Sequence, residues 1–160
     1  MTFATADISD ALHPKLQYVE PIFKSYGAQE KFFGPIKTIK CYEDNSLVKE
    51  ALFSTGAGQV LVVDAGGSKR CAMLGDMLAT AALKNGWAGI IMFGLIRDSA
   101  IINTLDIGVR ALGTLPLKSE KKGVGEKNID VRFAGVNFIP GYFVYADSDG
   151  IIVVEKEYAD

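Results

Sequence analysis

Two short stretches of the chain carry residue types that could seat an anion beside a hard cation. Gly75, Asp76, Met77 and Leu78 open a small-residue helical segment that reaches Asn85 and is closed by Gly86. Backbone N–H groups in the first turn of a helix have no intrahelical acceptor and carry partial positive charge, so a substrate carboxylate is a natural occupant there. Arg97 and Asp98 follow directly on the apolar run GIIMFGLI at positions 89–96. A guanidinium fork grips a carboxylate through two parallel hydrogen bonds, and an aspartate oxygen suits Mg²⁺. The chemistry this points to is an oxygen-ligand metal pocket around Asp76, Arg97 and Asp98. Each stretch also has a plainer reading: Gly75 as a loop residue ahead of a helix capped by Asp76, and Arg97 with Asp98 as a solvated surface pair of little energetic weight. Position favours chemistry, because in parallel α/β folds ligands collect beyond the carboxyl ends of strands, where both stretches fall.

Other chemistries find too few partners. His13 is the single histidine, stands directly before Pro14 and lies far from any serine elbow, so it reads as a surface residue at a helix end and not as the base of a hydrolase. Cys41 and Cys71 match neither a zinc spacing nor a secreted disulfide framework, and are expected as reduced thiols in a cytoplasmic protein. A transition-metal site built on His and Cys is equally short of ligands. The run Gly66-Gly67-Ser68-Lys69-Arg70 could cradle phosphate, but it lacks the spacing of a P-loop or a dinucleotide fingerprint. It reads as a tight turn lining the site.

The elements that position these groups belong to one domain spanning residues 1–160, long enough to bury a single core. Apolar residues make up 49% of the chain and charged residues 22%, ordinary globular usage that removes fibrous and disordered classes. The formal charge of −2 comes without any basic stripe, which disfavours direct binding of nucleic acid. Positions 118–127 interleave lysines with Glu120 and Glu126 around Gly123 and Gly125, and read as a solvated loop. The opening MTFATADISDALHP lacks the positive start and apolar centre of a signal peptide. No apolar run approaches a bilayer span, so no membrane association is expected.

Along the chain, residues 5–12 form a helix that stops at His13-Pro14, since proline disfavours the helical conformation just before it. Residues 32–42 read as a strand bent at Gly34-Pro35, followed by a helix capped by Asn45, with Leu47, Val48, Ala51 and Leu52 on its apolar face and Gly56 ending it. Residues 59–63 are a branched apolar run of the kind buried on both faces, leading through the loop 64–67 to a helix at 76–85 and a second buried strand at 89–93. Strand, loop, helix and strand in that order fit a right-handed parallel crossover. After Gly94 come short β candidates at 109–115, 131–133, 136–139, 143–146 and 151–154, which predict a second, antiparallel or mixed layer. Residues 145–150 read as a turn and the closing acidic segment as a surface helix or tail. No internal repeat is visible.

The segments VLVVDAGGSKR, GDMLATAALKNGWAGIIMFGLIRD, LDIGVRALGTLPLKS, VRFAGVNFIPGYFVYADSDGIIV and the opening ADISDAL together resemble the family that contains RraA, the regulator of ribonuclease activity A, and the class II 4-hydroxy-4-methyl-2-oxoglutarate aldolases. The resemblance covers essentially the whole chain. Its most specific element is an acidic residue, twenty intervening residues, then Arg-Asp, matched by Asp76, Arg97 and Asp98. It implies an α/β fold of the mixed β/β/α swivelling kind, related to the phosphohistidine domain, with a parallel β-α-β core and an added β layer. It further implies a homotrimer with sites near subunit interfaces. A small 2-oxo acid is implied as substrate, its pyruvate part bound by the backbone of Gly75, Asp76, Met77 and Leu78 and by Arg97. The implied cofactor is Mg²⁺ or Mn²⁺, held by Asp98 as the sole protein ligand. Arg97 and Asp76 are the implied catalytic residues, Arg97 as a fixed positive charge and Asp76 orienting a water that carries protons.

The activity so implied is cleavage of 4-hydroxy-4-methyl-2-oxoglutarate to pyruvate, with decarboxylation of oxaloacetate, since both reactions leave electron density on a pyruvate enolate that cationic groups stabilise. Two departures from the aldolase pattern bear on this. Ile101 stands three positions after Asp98, where those enzymes often carry a further acid, and the chain ends at Asp160 without their C-terminal extension. Decarboxylation needs only the pyruvate half of the pocket and is expected to be untouched by either departure. The name-giving branch implies another role, a protein-binding regulator that masks ribonuclease E or a helicase. Its members can lack the acidic ligand that stands here as Asp98. An older assignment of such proteins to menaquinone methylation meets no glycine-rich methyl-donor motif in this chain.

Overall fold

Helix α1 (Thr5–Leu12) ends ahead of His13 and Pro14 as expected, and is followed by the short strands β1 (Gln17–Tyr18) and β2 (Lys24–Tyr26). The central unit is β3 (Phe32–Lys40), α2 (Ser46–Leu52), β4 (Val60–Asp64), β5 (Ala72–Leu74), α3 (Asp76–Lys84), β6 (Gly89–Ile96), the single-turn α4 (Ser99–Ile102) and β7 (Gly108–Thr114). The chain closes with β8 (Glu126–Lys127), the hairpin of β9 (Val131–Phe133) and β10 (Val136–Phe138), and the hairpin of β11 (Phe143–Asp147) and β12 (Gly150–Val154). The structure, a computed structural model, describes residues 2–159. Met1 and Asp160, the outermost residues of the two terminal segments considered above, lie outside that range.

The main sheet runs β1-β12-β11-β3-β4-β6-β7-β2, with β3, β4, β6 and β7 mutually parallel and antiparallel strands at both ends. This is the expected parallel β-α-β core with an added β layer. One strand was expected on the wrong side of that division: β7 belongs to the parallel core, joined to β6 through α4. A four-residue helix is too short to show a 3.6-residue period, so its crossover was not visible in the sequence. Strand β3 serves both parts of the sheet. Residues 32–35 pair antiparallel with β11, and residues 36–40 pair parallel with β4. Pro35, which has no N–H to donate, stands at the change of partner.

Side chains alternate across the core strands. Leu61 and Val63 of β4 and Ile90 and Met92 of β6 pack under α2 and α3 with Val48, Leu52, Ala79 and Ala82. Val60, Val62 and Ile91 face the opposite way, against Phe133, Phe138 and Val144 of the β layer. At the amino end of the parallel strands, Gly89 and Gly108 are register partners. A Cβ on either would come within 2.3 Å of the Phe32 ring, so the two glycines form the socket in which that ring is buried. Helix α3 stops by a Schellman arrangement: Trp87 N–H bonds to Ala82 O and Gly86 N–H to Leu83 O, with Gly86 at φ +78°.

Two local expectations are corrected, and a third resolves to one of its alternatives. Residues 145–147 are strand, and only Ser148 and Asp149 form the turn between paired Asp147 and Gly150. Residues 155–159 are the tail and not the helix, and Tyr158 N–H bonds to the Tyr145 hydroxyl. Helix α2 ends at Leu52 instead of running to Gly56. Among the described residues no helix is long and apolar enough to cross a membrane.

Candidate active site

The site is built where β6 outruns β4. The pairing of β4 with β6 ends at Asp64 and Phe93, and β5 takes over the same edge at Leu95 and Ile96. Arg97 N–H then bonds to Leu74 O at 2.9 Å, which places Arg97 and Asp98 beside the residue that starts α3. That residue is Gly75. A Cβ there would lie 2.9 Å from Asp98 Oδ2 and 3.6 Å from Arg97 Nε, so any side chain at this position would displace the Asp98 carboxylate. Its φ of −128° is extended backbone open to any residue.

Of the two plainer readings, the helix cap is now decided. Gly75, which has no side chain to offer, is itself the capping position, and Asp76 is the first helical residue and does not cap α3 with its side chain. Asp98 does so from the neighbouring strand end, accepting the Asp76 N–H at 3.1 Å. The first intrahelical bond is Ala79 N–H to Gly75 O, so the N–H groups of Met77 and Leu78 lie outside the helical ladder and remain open to an anion. The Met77 side chain is exposed, whereas Leu78 is buried in the core; what these two offer a ligand in common is backbone.

Asp98 is one of three aspartates that cap helices here, and it differs from the other two. Asp147 holds α1 by accepting Thr5 N–H and Thr5 Oγ1–H, each at 2.7 Å, and also Asp149 N–H. Asp44 holds α2 through Ser46 N–H and hydroxyl and binds the amides of Lys122 and Val124 with its second oxygen. Burial alone would raise the Asp44 carboxyl, but the hydrogen bonds from Ser46, Val124 and Lys122 hold it at about 2. Both of those carboxylates are buried with both oxygens engaged. The Asp98 side chain is 36% exposed and only Oδ2 is used. Asp44 does the capping expected of Asn45, whose amide instead donates to Met73 O at 3.2 Å.

Arg97 is loosely held. Its Nη1 reaches Pro116 O at 3.5 Å and its Nε lies 4.0 Å from Asp98 Oδ2, with 40% of the side chain exposed, so the fork is available to a ligand. Arg97 and Asp98 border a cleft of about 260 Å³ whose other wall is Thr114, Leu115 and Pro116. Those three residues were not singled out from the sequence, although they lie at the carboxyl end of β7, where the same strand-end rule applies. The first turn of α3 contacts the Arg97 and Asp98 pair but is not part of this wall. The Gly66-Gly67-Ser68-Lys69-Arg70 turn is not part of it either. Ser68 and Arg70 both bind Glu43, at 2.6 to 2.7 Å, and the Arg70 hydrogen bond, reinforced by Ser68, lowers the Glu43 carboxyl to about 2.

The arrangement suits a divalent cation of the hard kind. Asp98 offers a free carboxylate oxygen, and among the described residues the Asp76 carboxylate forms no hydrogen bond or ion pair. Among the described residues no three His, Cys, Asp or Glu side chains converge, so a cation here would take Asp98 and complete its shell with water or substrate, as Mg²⁺ tolerates. Both cysteines are free and buried; burial pushes the Cys41 thiol up to about 12 and also raises Cys71, so neither supplies a nucleophile.

Comparison with known proteins agrees with the resemblance read from the sequence. A protein of Aromatoleum aromaticum, provisionally named 4-hydroxy-4-methyl-2-oxoglutarate aldolase, is 55% identical over 156 residues, covering 98% of each chain. A Pseudomonas aeruginosa protein of the same name is 55% identical over 153 residues, 96% of this chain and 94% of its own. Among solved structures, the Thermus RNA-processing inhibitor RraA superposes with a TM-score of 0.96 at 41% identity, covering 99% of this chain and 96% of that one. A Geobacillus kaustophilus protein described as an S-adenosylmethionine:2-dimethylmenaquinone methyltransferase gives 0.95 at 49% identity, covering 97% and 96%. The family model described as RraA-like, Aldolase/RraA, matches residues 5–153, and with these relatives it follows that the chain belongs to the RraA-like family.

Proposed function

We propose that this chain is a divalent-cation-dependent lyase that cleaves 4-hydroxy-4-methyl-2-oxoglutarate to pyruvate and decarboxylates oxaloacetate. The observation that carries the reading is the meeting of Asp98, with one oxygen uncommitted, and the loosely held Arg97 fork at the open amides of α3. The names of its relatives at 50 to 55% identity support the same class of reaction. Residues 1–160 work as one domain in this reading. The assembly is a homotrimer in the cytoplasm.

In the reaction, the Met77 and Leu78 amides and the Arg97 guanidinium bind the carboxylate of the 2-oxo acid and fix its plane. Asp98 holds the cation, Mg²⁺ or Mn²⁺, which when bound supplies Lewis acidity toward the 2-oxo group. Cleavage of the bond between C3 and C4 of the aldol substrate, or loss of CO₂ from oxaloacetate, leaves a pyruvate enolate, and Arg97 offers fixed positive charge as that negative charge develops. The Asp76 carboxylate holds the water that takes the C4 hydroxyl proton as the aldol substrate cleaves and returns a proton to the enolate carbon; in oxaloacetate decarboxylation only the second transfer is needed. The Thr114, Leu115 and Pro116 wall keeps bulk solvent off one side of the cleft.

The test is an assay of the purified protein on both substrates with Mg²⁺, with chelator, and as Arg97→Ala and Asp98→Ala. Equal background rates in all four would end the proposal. A second reading, a regulator that binds ribonuclease E or a helicase, draws on the 41% identity to an RNA-processing inhibitor. Tight, cation-independent capture of ribonuclease E by the Asp98→Ala protein would move the function to that reading.

A further inference from the structure

Away from this cleft, a cavity of about 400 Å³ opens between α1, the β11 to β12 turn and the segment that leads into β2. Its most unusual lining residue is Arg110, on β7, only 4% exposed. The guanidinium stacks over the Phe32 ring, 5.2 Å from its centroid. Nη2 donates to the backbone oxygens of Glu30 and Asp147, while Nη1 is sealed from solvent with no acceptor. Among the described residues no carboxylate forms an ion pair with this charge. Glu30 and Asp147 both act on it from a distance, and Asp147 already accepts three hydrogen bonds from Thr5 and Asp149. Ordinarily a buried guanidinium is matched by an oxygen anion, and an unmatched donor of this kind is strongly disfavoured.

The mouth of the same cavity has the opposite character. Glu20, Glu30 and Asp149 line it, and among the described residues none of their carboxylates forms an ion pair or a hydrogen bond. Phe23 and Pro21 add apolar lining. A ligand that fits must present a carboxylate inward, a cation outward and a modest apolar group sideways.

We propose that this cavity binds a free α-amino acid with a small apolar side chain, its carboxylate on Arg110 and its ammonium among Glu20, Glu30 and Asp149. The volume falls within the range of small-molecule sites. Arg110 stands four residues before Thr114 on the same strand, and Thr114 lines the cleft beside Arg97.

The experiment is calorimetric titration of the intact protein with L-valine and L-leucine, against isovalerate, which lacks the ammonium, and isobutylamine, which lacks the carboxylate. The expected result is saturable binding of an amino acid at about 1 mM or tighter, with both controls weaker by about tenfold or more. Arg110→Gln should abolish it. Because that variant can fail to fold, Glu30→Gln with Asp149→Asn, both at exposed positions, provides the second arm and should reduce an amino acid to the affinity of isovalerate. No saturable binding, controls that bind equally well, an unaffected rim variant, or binding seen only after dilution to monomer, which would seat a second copy of the chain there, would each overturn the assignment.

Discussion

The Asp98 carboxylate caps α3 with one oxygen, receiving the Asp76 N–H at 3.1 Å, and leaves the other without a protein partner. Its backbone is left-handed, φ +58°, a conformation that asparagine shares readily and alanine resists. Capping and chemistry in this side chain are therefore separable. Asp98→Asn should keep stability within about 0.5 kcal/mol of the parent, because the amide oxygen can still accept, while cation-dependent turnover falls by about 10²-fold or more. Asp98→Ala should lose that turnover and also about 1–2 kcal/mol of stability. Urea denaturation beside an oxaloacetate assay checks both, and an active Asp98→Asn protein would remove Asp98 from the chemistry.

Gly75→Ala tests a requirement for empty space. The backbone there tolerates alanine, but the added carbon would sit 2.9 Å from Asp98 Oδ2. The carboxylate must move, and displacements approaching 1 Å at a reacting centre cost up to ~10²-fold. We expect a loss of tenfold or more, about 1.4 kcal/mol, together with weaker Mg²⁺ activation. Wild-type kinetics in this variant would mean that Asp98 need not hold its place.

Arg97→Lys keeps the charge and removes the fork. A lysine ammonium is a point charge and cannot grip a carboxylate bidentately, so KM for oxaloacetate should rise by about tenfold with a smaller change in kcat. Folding stability should shift by less than about 0.5 kcal/mol, since Arg97 is 40% exposed and weakly bonded. A variant that loses stability but not affinity would return Arg97 to a scaffolding role.

How much of this was legible in the sequence varied with the range of the forces involved. Helices α1 and α3 and strands β4 and β6 were marked by local signals: Pro14, Gly86 and apolar runs of the right length. Gly75, Asp76, Arg97 and Asp98 were found as candidates, and the structure brings them together. Strand β5 was not found, because Ala72, Met73 and Leu74 are buried alike and show no alternation. The capping of α2 and α3 was assigned to Asn45 and, in one reading, Asp76, the nearest residues of suitable type, whereas Asp44 and Asp98 perform it. Capping across the chain depends on tertiary position, which spacing along the sequence does not encode.

Acid should weaken the protein in a defined window. The folded Asp44 carboxyl lies at about 2, below its ordinary value of 3.8. Its stabilising effect is complete above the ordinary value and fades as pH falls toward the folded one. Glu43, held at about 2 by Arg70 and Ser68, acts in the same direction. Urea midpoints measured from pH 5 to pH 2 should fall, and Asp44→Asn should be less stable at pH 5 with a shallower decline. If the decline is as steep in Asp44→Asn as in the parent, its source is elsewhere.

The three-residue strand β5 pairs with the far end of β6, beyond the last pairing of β4, and Ala72 is bridged on to Lys118. Ala72 N–H on Leu117 O and the Asn45 amide on Met73 O pin it further, and Arg97 N–H on Leu74 O ties its end to the guanidinium-bearing residue. Because Ala72, Met73 and Leu74 are all buried in the main core, the amide seat and the guanidinium part only when the fold itself opens, and hydrogen exchange near Leu74 should track global unfolding.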